Sequence, residues 1–540
     1  MAKLLKLGTR KSLLARAQST WVAREIEKRS PEVQVELVGI ETQGDLIQDR
    51  PLQTVEGKDF FVAEIDEALK RGEVDFTVHS LKDLSLDRPD FVQIAAIPAR
   101  EEPRDVLIFN SSVLKRLERD EPVSIGSSVP RRIENIPPFL VRALPKRGKS
   151  DPKIVFIEIR GNVNTRLARI QDSTPKERAV DGVALALAGL IRLWQDSAGR
   201  AELSTLLKDK LVMVLPLREC PVAPGQGALA IECRRDDSKL LAILRKIHHS
   251  ETEKAVTSER AILAEWGGGC HQRLGATSIR LAQMNTPVIW VKGRHPDGHA
   301  VDELRWTPPS LLETAAVRPW DGSFQRTDSE TEHLKTDVFF GDTAAHPVES
   351  VFIAHSRALP SNWAKRMSSE SNRYRVYTSG TASWYRLAQV GVWVEGCAEG
   401  WGFEDLKPIL RIEVLQLPQF KKWKILTHEQ ALGGWADGGL GGENGAQVIA
   451  TYRVAWNNLS NLASADVESL KTVTHIYWAS GSQFDRFAGA VGNRMGVISN
   501  ACGPGKTATY LRSRGIAPMI FPDVSEWHKW VGIKTEGKGL

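Results

Sequence analysis

VDFTVHSLKD, residues 74–83, decides how this chain is read. Val74, Phe76 and Val78 alternate with polar neighbours as a half-buried strand does, and the strand runs straight into His79-Ser80-Leu81-Lys82-Asp83. Upstream, Phe60 to Leu69 carries helical periodicity and Val33 to Leu37 alternates again. Further back, the apolar run Leu4–Leu7 stops at Gly8-Thr9-Arg10-Lys11-Ser12, before a helix with Leu14, Ala17, Trp21 and Val22 on one face. Strand, helix and strand in that order predict an α/β domain with a mainly parallel sheet. The alternation resumes at Val123–Ile125, Ile154–Ile159 and Val183–Leu187. Open α/β sheets bind ligands outside the carboxyl ends of their strands, so the loops after Leu7, Val78, Ile125 and Ile159 should face a cleft.

The residues at those ends share one chemistry. Arg10 and Ser12 follow the first strand. Ser80, Lys82 and Asp83 follow the strand at Val78. Gly126, Ser127 and Ser128 precede Arg131 and Arg132, and Arg160, Gly161 and Asn162 precede Arg166. Small and hydroxylated residues near helix starts present backbone N–H groups to anions, and arginines add a bidentate grip on carboxylates. A cleft lined this way suits a polycarboxylate. Asp83 is the one acid among these bases, either a salt-bridge partner or a catalytic group.

The 540 residues are enough for three or four domains, and 42% hydrophobic with 26% charged residues is ordinary for a packed protein. Net charge is +6, from 72 basic and 66 acidic residues, without a basic run that would track a phosphate backbone. No nucleic-acid partner is expected. The 16 Trp residues read as packing. Gly182–Trp194 is the best apolar run. It is too short to span a bilayer and contains Arg192, so it reads as a strand entering a helix, with no membrane partner expected. The first 24 residues mimic a transit peptide by lacking acid, a reading set aside because Leu5 onward looks structural. Cys220, Cys233, Cys270, Cys397 and Cys502 are odd in number and widely spaced, which argues for free thiols in a reducing, cytoplasmic setting. No ligand spacing around His248, His249 or His271 supports a metal, so none is expected. Residues 300–350 change texture with Pro308-Pro309 and the polar run 326–332. A second α/β pattern starts near Val351, and the glycines of 427–444 read as a flexible loop.

GTRKS (8–12), GKDFF (57–61), HSLKD (79–83), GSSVPRR (126–132), RGNVNTR (160–166), APGQGALAIECR (223–234) and GGGCHQRLGA (267–276) together resemble, in order and spacing, the signature stretches of porphobilinogen deaminases. The resemblance covers about residues 4–280 and continues weakly to about 345. It implies two periplasmic-binding-protein-like α/β lobes and a small α+β domain carrying a cysteine. The first lobe would be 1–100 with 228–245, the second 101–227 and the third domain 246–345. It further implies a transferase of haem biosynthesis, expected to be a monomer, that joins four porphobilinogen molecules into hydroxymethylbilane and releases ammonia. The primer would be a dipyrromethane cofactor on Cys270, with Gly267–Gly269 clearing the loop's path. Asp83 matches the catalytic aspartate. Arg10, Ser12, Ser80, Lys82, Ser127, Ser128, Arg131, Arg132, Arg160, Gly161, Asn162, Arg166, Arg192 and Gln226 match cofactor- or substrate-binding positions, and Lys58 and Phe61 match a mobile lid. Thr54, Glu56 and the long basic stretch 137–150 depart from the family pattern.

Residues 350–540 resemble uroporphyrinogen-III synthase more loosely, through SVFIAHSRAL (350–359), TSGTASWYRLAQVGVWV (378–394), THIYWASGSQFDRFAG (474–489) and ACGPGKTATYLRSRGIAP (501–518). That implies a two-lobed α/β domain, either an active synthase or a degenerate domain kept for packing. The competing reading of the whole chain is a two-lobed organic-anion binding module without catalysis, which would have no use for a covalent primer on Cys270.

Overall fold

The computed structural model describes residues 3–42, 62–170, 179–269, 271–281, 283–310, 317–322, 329–334, 349–436, 445–456 and 464–533. The chain forms two compact units, one of residues 1–278, 289–304 and 411–416, the other of 279–288, 305–410 and 417–540.

The first unit holds three sheets. The first has the order β2-β1-β3-β10-β4, from Val33–Ile40 (β2), Lys3–Arg10 (β1), Phe76–Ser80 (β3), Leu229–Arg234 (β10) and Val92–Ala96 (β4). β1 pairs parallel with β2 and β3, while β10 runs antiparallel to β3 and β4. The second has the order β7-β6-β8-β5-β9, from Ile154–Ile157 (β7), Val123–Gly126 (β6), Gly182–Ala186 (β8), Asp105–Asn110 (β5) and Lys210–Val214 (β9). There β6 pairs parallel with β7 and β8, and β5 runs antiparallel to β8 and β9. The expected mainly parallel sheet is thus a mixed one. Apolar alternation tells which face is buried, not which way a neighbour runs. The third sheet joins Arg273–Ile279 (β11), Val288–Arg294 (β12) and Ala300–Arg305 (β13).

Hydrophobic burial holds each lobe. In the first, Leu5 and Leu7 of β1, Phe76 and Val78 of β3 and Ile231 of β10 pack against Val22 and Ile26 of the helix Leu13–Arg29. The buried face of that helix centres on Ala17, Val22 and Ile26, and Trp21 lies half-buried at its margin. Ser12 caps the helix, its Oγ accepting the Ala15 N–H at 3.3 Å. In the second lobe Val106, Leu107, Ile108 and Phe109 of β5 and Ile125 of β6 are fully buried. Gly182–Trp194 divides as expected into β8 and the helix Leu187–Gln195. The helix expected from Phe60 is described over Ala63–Lys70.

The second unit has a six-stranded sheet ordered β15-β20-β19-β16-β17-β18 and a four-stranded sheet ordered β14-β21-β22-β23. Its strands are Pro319–Trp320 (β14), Ser329–His333 (β15), Glu349–Ile353 (β16), Tyr374–Thr378 (β17), Gly396–Cys397 (β18), Trp423–His428 (β19), Gln447–Trp456 (β20), His475–Trp478 (β21), Ser499–Cys502 (β22) and Met519–Ile520 (β23). Apart from antiparallel β15, the pairings are parallel. Part of the stretch read as a flexible glycine loop is regular structure. Thr427 and His428 finish β19, and Leu432–Ala436 is helical because Trp435 buries its indole against Thr427 and Phe352. Cys220, Cys233, Cys397 and Cys502 are free and buried.

Candidate anion cleft

β3 delivers HSLKD to its place. After Ser80 the chain makes a single 3-10 turn, Leu81–Asp83, with Leu81 buried, Lys82 half-buried and Asp83 exposed. Sequence reasoning missed what fixes this turn. Arg260, on the helix Ser250–Glu265, donates to the Leu81 and Leu84 carbonyls at 3.0 Å and to the Ser85 carbonyl at 2.8 Å. Three backbone acceptors on one planar fork set the orientation of the turn that carries Lys82 and Asp83.

Beneath the same strand His79 is buried, its Nε2 lying 3.0 Å from Thr77 Oγ1 and 3.5 Å from Glu232 Oε2. Arg88 bridges Glu232, at 2.8 and 2.9 Å, and Asp66, at 2.7 Å. Burial first, and then the Arg88 charge, push the His79 imidazole down to about 4, so it is neutral at pH 7. Ser80 exchanges hydrogen bonds with the Gln18 amide.

The Arg131–Arg132 pair stands in a different setting from the open, ligand-facing one that the sequence suggested. Both side chains are buried on Asp105, the first residue of β5. Arg132 donates through Nη2 to Asp105 Oδ1 at 2.7 Å and through Nε to Oδ2 at 3.2 Å, and Arg131 Nη2 donates to that same Oδ2 at 2.7 Å. Gln226 Nε2 adds a bond to Asp105 at 2.9 Å. Arg131 also donates to the Pro221 carbonyl and Arg132 to the Ala184 carbonyl. One donor, Arg131 Nε, is buried with no hydrogen-bond partner among the described residues. Two cations face one anion here, leaving an excess positive charge.

Ser127 is fully buried and its Oγ accepts the Val129 N–H, whereas Ser128 is half-buried at the start of the next helix. Asn162 caps the short helix Val163–Ala168 through Thr165 N at 2.8 Å. Gly161, at φ +103, takes a conformation that a side chain would strain, and its carbonyl accepts Arg166 Nε at 2.9 Å. Burial, then the nearby Arg132 charge, pull Arg166 down to about 10, while Asp83 pulls it the other way. Burial likewise lowers Lys82, opposed chiefly by Asp83. These couplings bring Lys82, Asp83, Arg131, Arg132, Arg160 and Arg166 into one electrostatic neighbourhood. Arg160 lies 3.9 Å from Glu158, and Arg10 is felt by His79. Arg192 stands apart, buried with Nη2 on the Gly227 carbonyl at 2.6 Å.

A second brace was also unread in the sequence. Buried Glu259 receives both Arg100 guanidinium nitrogens at 2.7 and 3.0 Å and accepts the Gly225 and Ser278 N–H groups. It ties the APGQG turn to the helix that leads into the glycine loop. Gly267, Gly268 and Gly269 have φ of +88, +73 and +89, three successive left-handed residues that non-glycine side chains resist. Cys270 and the lid residues Lys58 and Phe61 lie outside the described residues. Among the described residues, Asp66-His79-Glu232 and His295-Asp297-His299 converge closely enough to hold a metal. The first already spends its charge on Arg88.

Residues 5–242 match the family model for the porphobilinogen deaminase dipyrromethane cofactor binding domain. The porphobilinogen deaminase of Trichlorobacter lovleyi is 39% identical over 274 residues, 51% of this chain and 78% of that protein. The Geobacter metallireducens porphobilinogen deaminase is 40% identical over 274 residues and 77% of its length. The one from Syntrophotalea carbinolica is 37% identical over 314 residues, 58% of this chain and 90% of that protein. On that identity over most of the relatives' length, this chain belongs to the porphobilinogen deaminase family.

Proposed function

We propose that the first unit polymerises porphobilinogen into hydroxymethylbilane in tetrapyrrole synthesis, with Asp83 as the catalytic group and Cys270 as the anchor of the dipyrromethane. The observation that carries this reading is an exposed carboxylate, Asp83, set among Lys82, Arg131, Arg132, Arg160 and Arg166. A dipyrromethane bears an acetate and a propionate on each ring, and this donor set fits it. The cations outnumber the local acids, and Arg131 Nε is a buried donor without a hydrogen-bond partner among the described residues. Arg10, Ser12, Lys82, Arg160 and Arg166 would hold its carboxylates, and Arg131 and Arg132 would bias the cleft positive from behind. When bound, the group supplies the nucleophilic pyrrole carbon to which substrate is joined.

The residues of the chain do the rest. Asp83 accepts the pyrrole N–H of the incoming porphobilinogen and faces its aminomethyl carbon. The C–N bond of the protonated aminomethyl group breaks, ammonia leaves with the electron pair, and the carboxylate stabilises the positive charge left on the substrate. Asp83 then takes the proton lost from the ring carbon after the new bond forms. The lobes are read as periplasmic-binding-protein-like, spanning 1–100 with 228–245 and 101–227, with the third domain over 246–345. Among the described residues no helix is long and apolar enough to cross a membrane.

Intact mass tests the anchor. Purified wild type should be heavier than its sequence by two pyrrole units, and Cys270→Ser should not. A wild type that stays at sequence mass after incubation with porphobilinogen overturns the transferase and leaves the anion-binding module.

For the second unit the reading is a uroporphyrinogen-III synthase-like domain. It is supported by its two sheets and by a cationic group at the carboxyl ends of β16 and β19, where the strand order reverses. His355 follows β16 and His428 ends β19. Burial, then Arg357, Arg386 and His428, push His355 down to about 4. Type III ring product from the purified chain supports this reading. Type I alone means that the domain is not a working synthase.

A further inference from the structure

Away from the cleft, the turn joining β12 to β13 reads His295-Pro296-Asp297-Gly298-His299. The His295 N–H donates to the His299 carbonyl at 2.9 Å and the Gly298 N–H to the His295 carbonyl at 2.8 Å. Closing the turn this way stacks the two imidazoles, with centroids 4.8 Å apart and planes 24° from parallel. Each presents Nδ1 to a different oxygen of Asp297, His295 at 3.0 Å and His299 at 2.5 Å. The His295 ring is further fixed edge-on against Trp266, 5.1 Å between centroids.

We propose that His295, Asp297 and His299 form a binding site for one divalent first-row transition ion of the zinc and copper class. Two imidazole nitrogens and a carboxylate oxygen suit those ions better than magnesium or calcium, which favour all-oxygen shells. Bonds of about 2.0–2.2 Å place neighbouring ligand atoms about 3 Å apart, and the three groups already converge to within 4.8 Å. Little side-chain ordering is left to be lost on binding, because the turn and Trp266 have imposed it. His295 is half-buried while Asp297 and His299 are exposed, so water can complete the shell. Arg294 donates to the Gly298 carbonyl at 3.0 Å, and its charge is met by Glu134 at 2.9 Å. The site is independent of the deaminase chemistry.

Electron paramagnetic resonance of the full-length, cofactor-loaded protein with one equivalent of Cu²⁺ tests the proposal. The expected spectrum has coupling from two imidazole nitrogens and loses it in His299→Ala. Calorimetry with Zn²⁺ should show one site in wild type, at least tenfold weaker in His299→Ala and in Asp297→Asn. Circular dichroism checks that these surface variants stay folded. A nitrogen-coupled signal that persists in the His295→Ala, His299→Ala double variant overturns the assignment. So does Zn²⁺ affinity equal in wild type and variants, or no binding in wild type.

Discussion

Asp105 and Arg132 form a two-point ion pair at 2.7 and 3.2 Å, and the same carboxylate holds Arg131, so one buried anion carries two guanidiniums. Burial opposes the Asp105 charge, but the two guanidiniums overcome it and hold the carboxyl below the usual carboxylate range. Asp105→Asn strands two buried cations, and the expected loss is about 3–5 kcal/mol in urea unfolding. The sign with pH follows from the lowered value. The pair's stabilisation is fully present above the unfolded carboxyl's pKa near about 4 and is lost only as pH falls through the lower folded value. Wild type and Asp105→Asn should therefore differ at pH 7 and converge only in strong acid.

Asp83 is exposed, so its removal should spare the fold. Asp83→Asn is expected to cut turnover of porphobilinogen by about 100- to 10,000-fold with an unchanged unfolding midpoint. Steady-state ammonia release beside a melting curve separates the two effects.

Arg260 donates to three carbonyls of the 3-10 turn and the residues after it, and is expected to act through that turn. Arg260→Ala should lower kcat about 10- to 100-fold, as small misplacements of a reacting group do, and change KM less. Lysine, a single point charge, should restore only part of the rate. A proportional loss across kcat, KM and melting temperature would mark a merely structural role.

His79 gives the chain a pH-dependent element. Its depressed folded pKa, about 4 against about 6.5 unfolded, means that its contribution is complete above about 6.5 and is lost as pH falls toward 4. Between pH 7 and pH 4.5 wild type should lose roughly 2–3 kcal/mol more stability than His79→Gln, measured by urea unfolding at both pH values. Equal losses would mean that His79 is protonated in the folded protein.

The end of β3 was legible because strand ends announce themselves. Alternation at Val74–Val78 gave way to HSLKD, and β3 does end at Ser80 before a turn carrying Lys82 and Asp83. Strand direction was not legible, since β5 and β10 read as apolar runs like any other. The partners behind the cleft were hidden for a similar reason. Asp105 looks like an ordinary acid at a strand start, and Arg260 and Glu259 look like solvent-facing charges on a helix. Only the tertiary fold shows that Glu259 is fully buried and that Arg260 points at three carbonyls. The Arg131–Arg132 doublet was read as a ligand-facing pair, and the structure sets both guanidiniums on Asp105, which the sequence did not point to. The HPDGH turn went unread because its ligands converge only once β12 and β13 are side by side.

The placement of β10 between β3 and β4 sets an order of events during synthesis. Every strand of the second sheet lies between residues 105 and 214, so that lobe has all its parts while the ribosome is still making the next segment. The first lobe began earlier, yet it must wait for residues 229–234 to emerge before β4 has a neighbour to pair with. The amino-terminal lobe is therefore the later of the two to close. Until then it exposes the edge of β3, where a nascent-chain chaperone or a misplaced strand would find an opening.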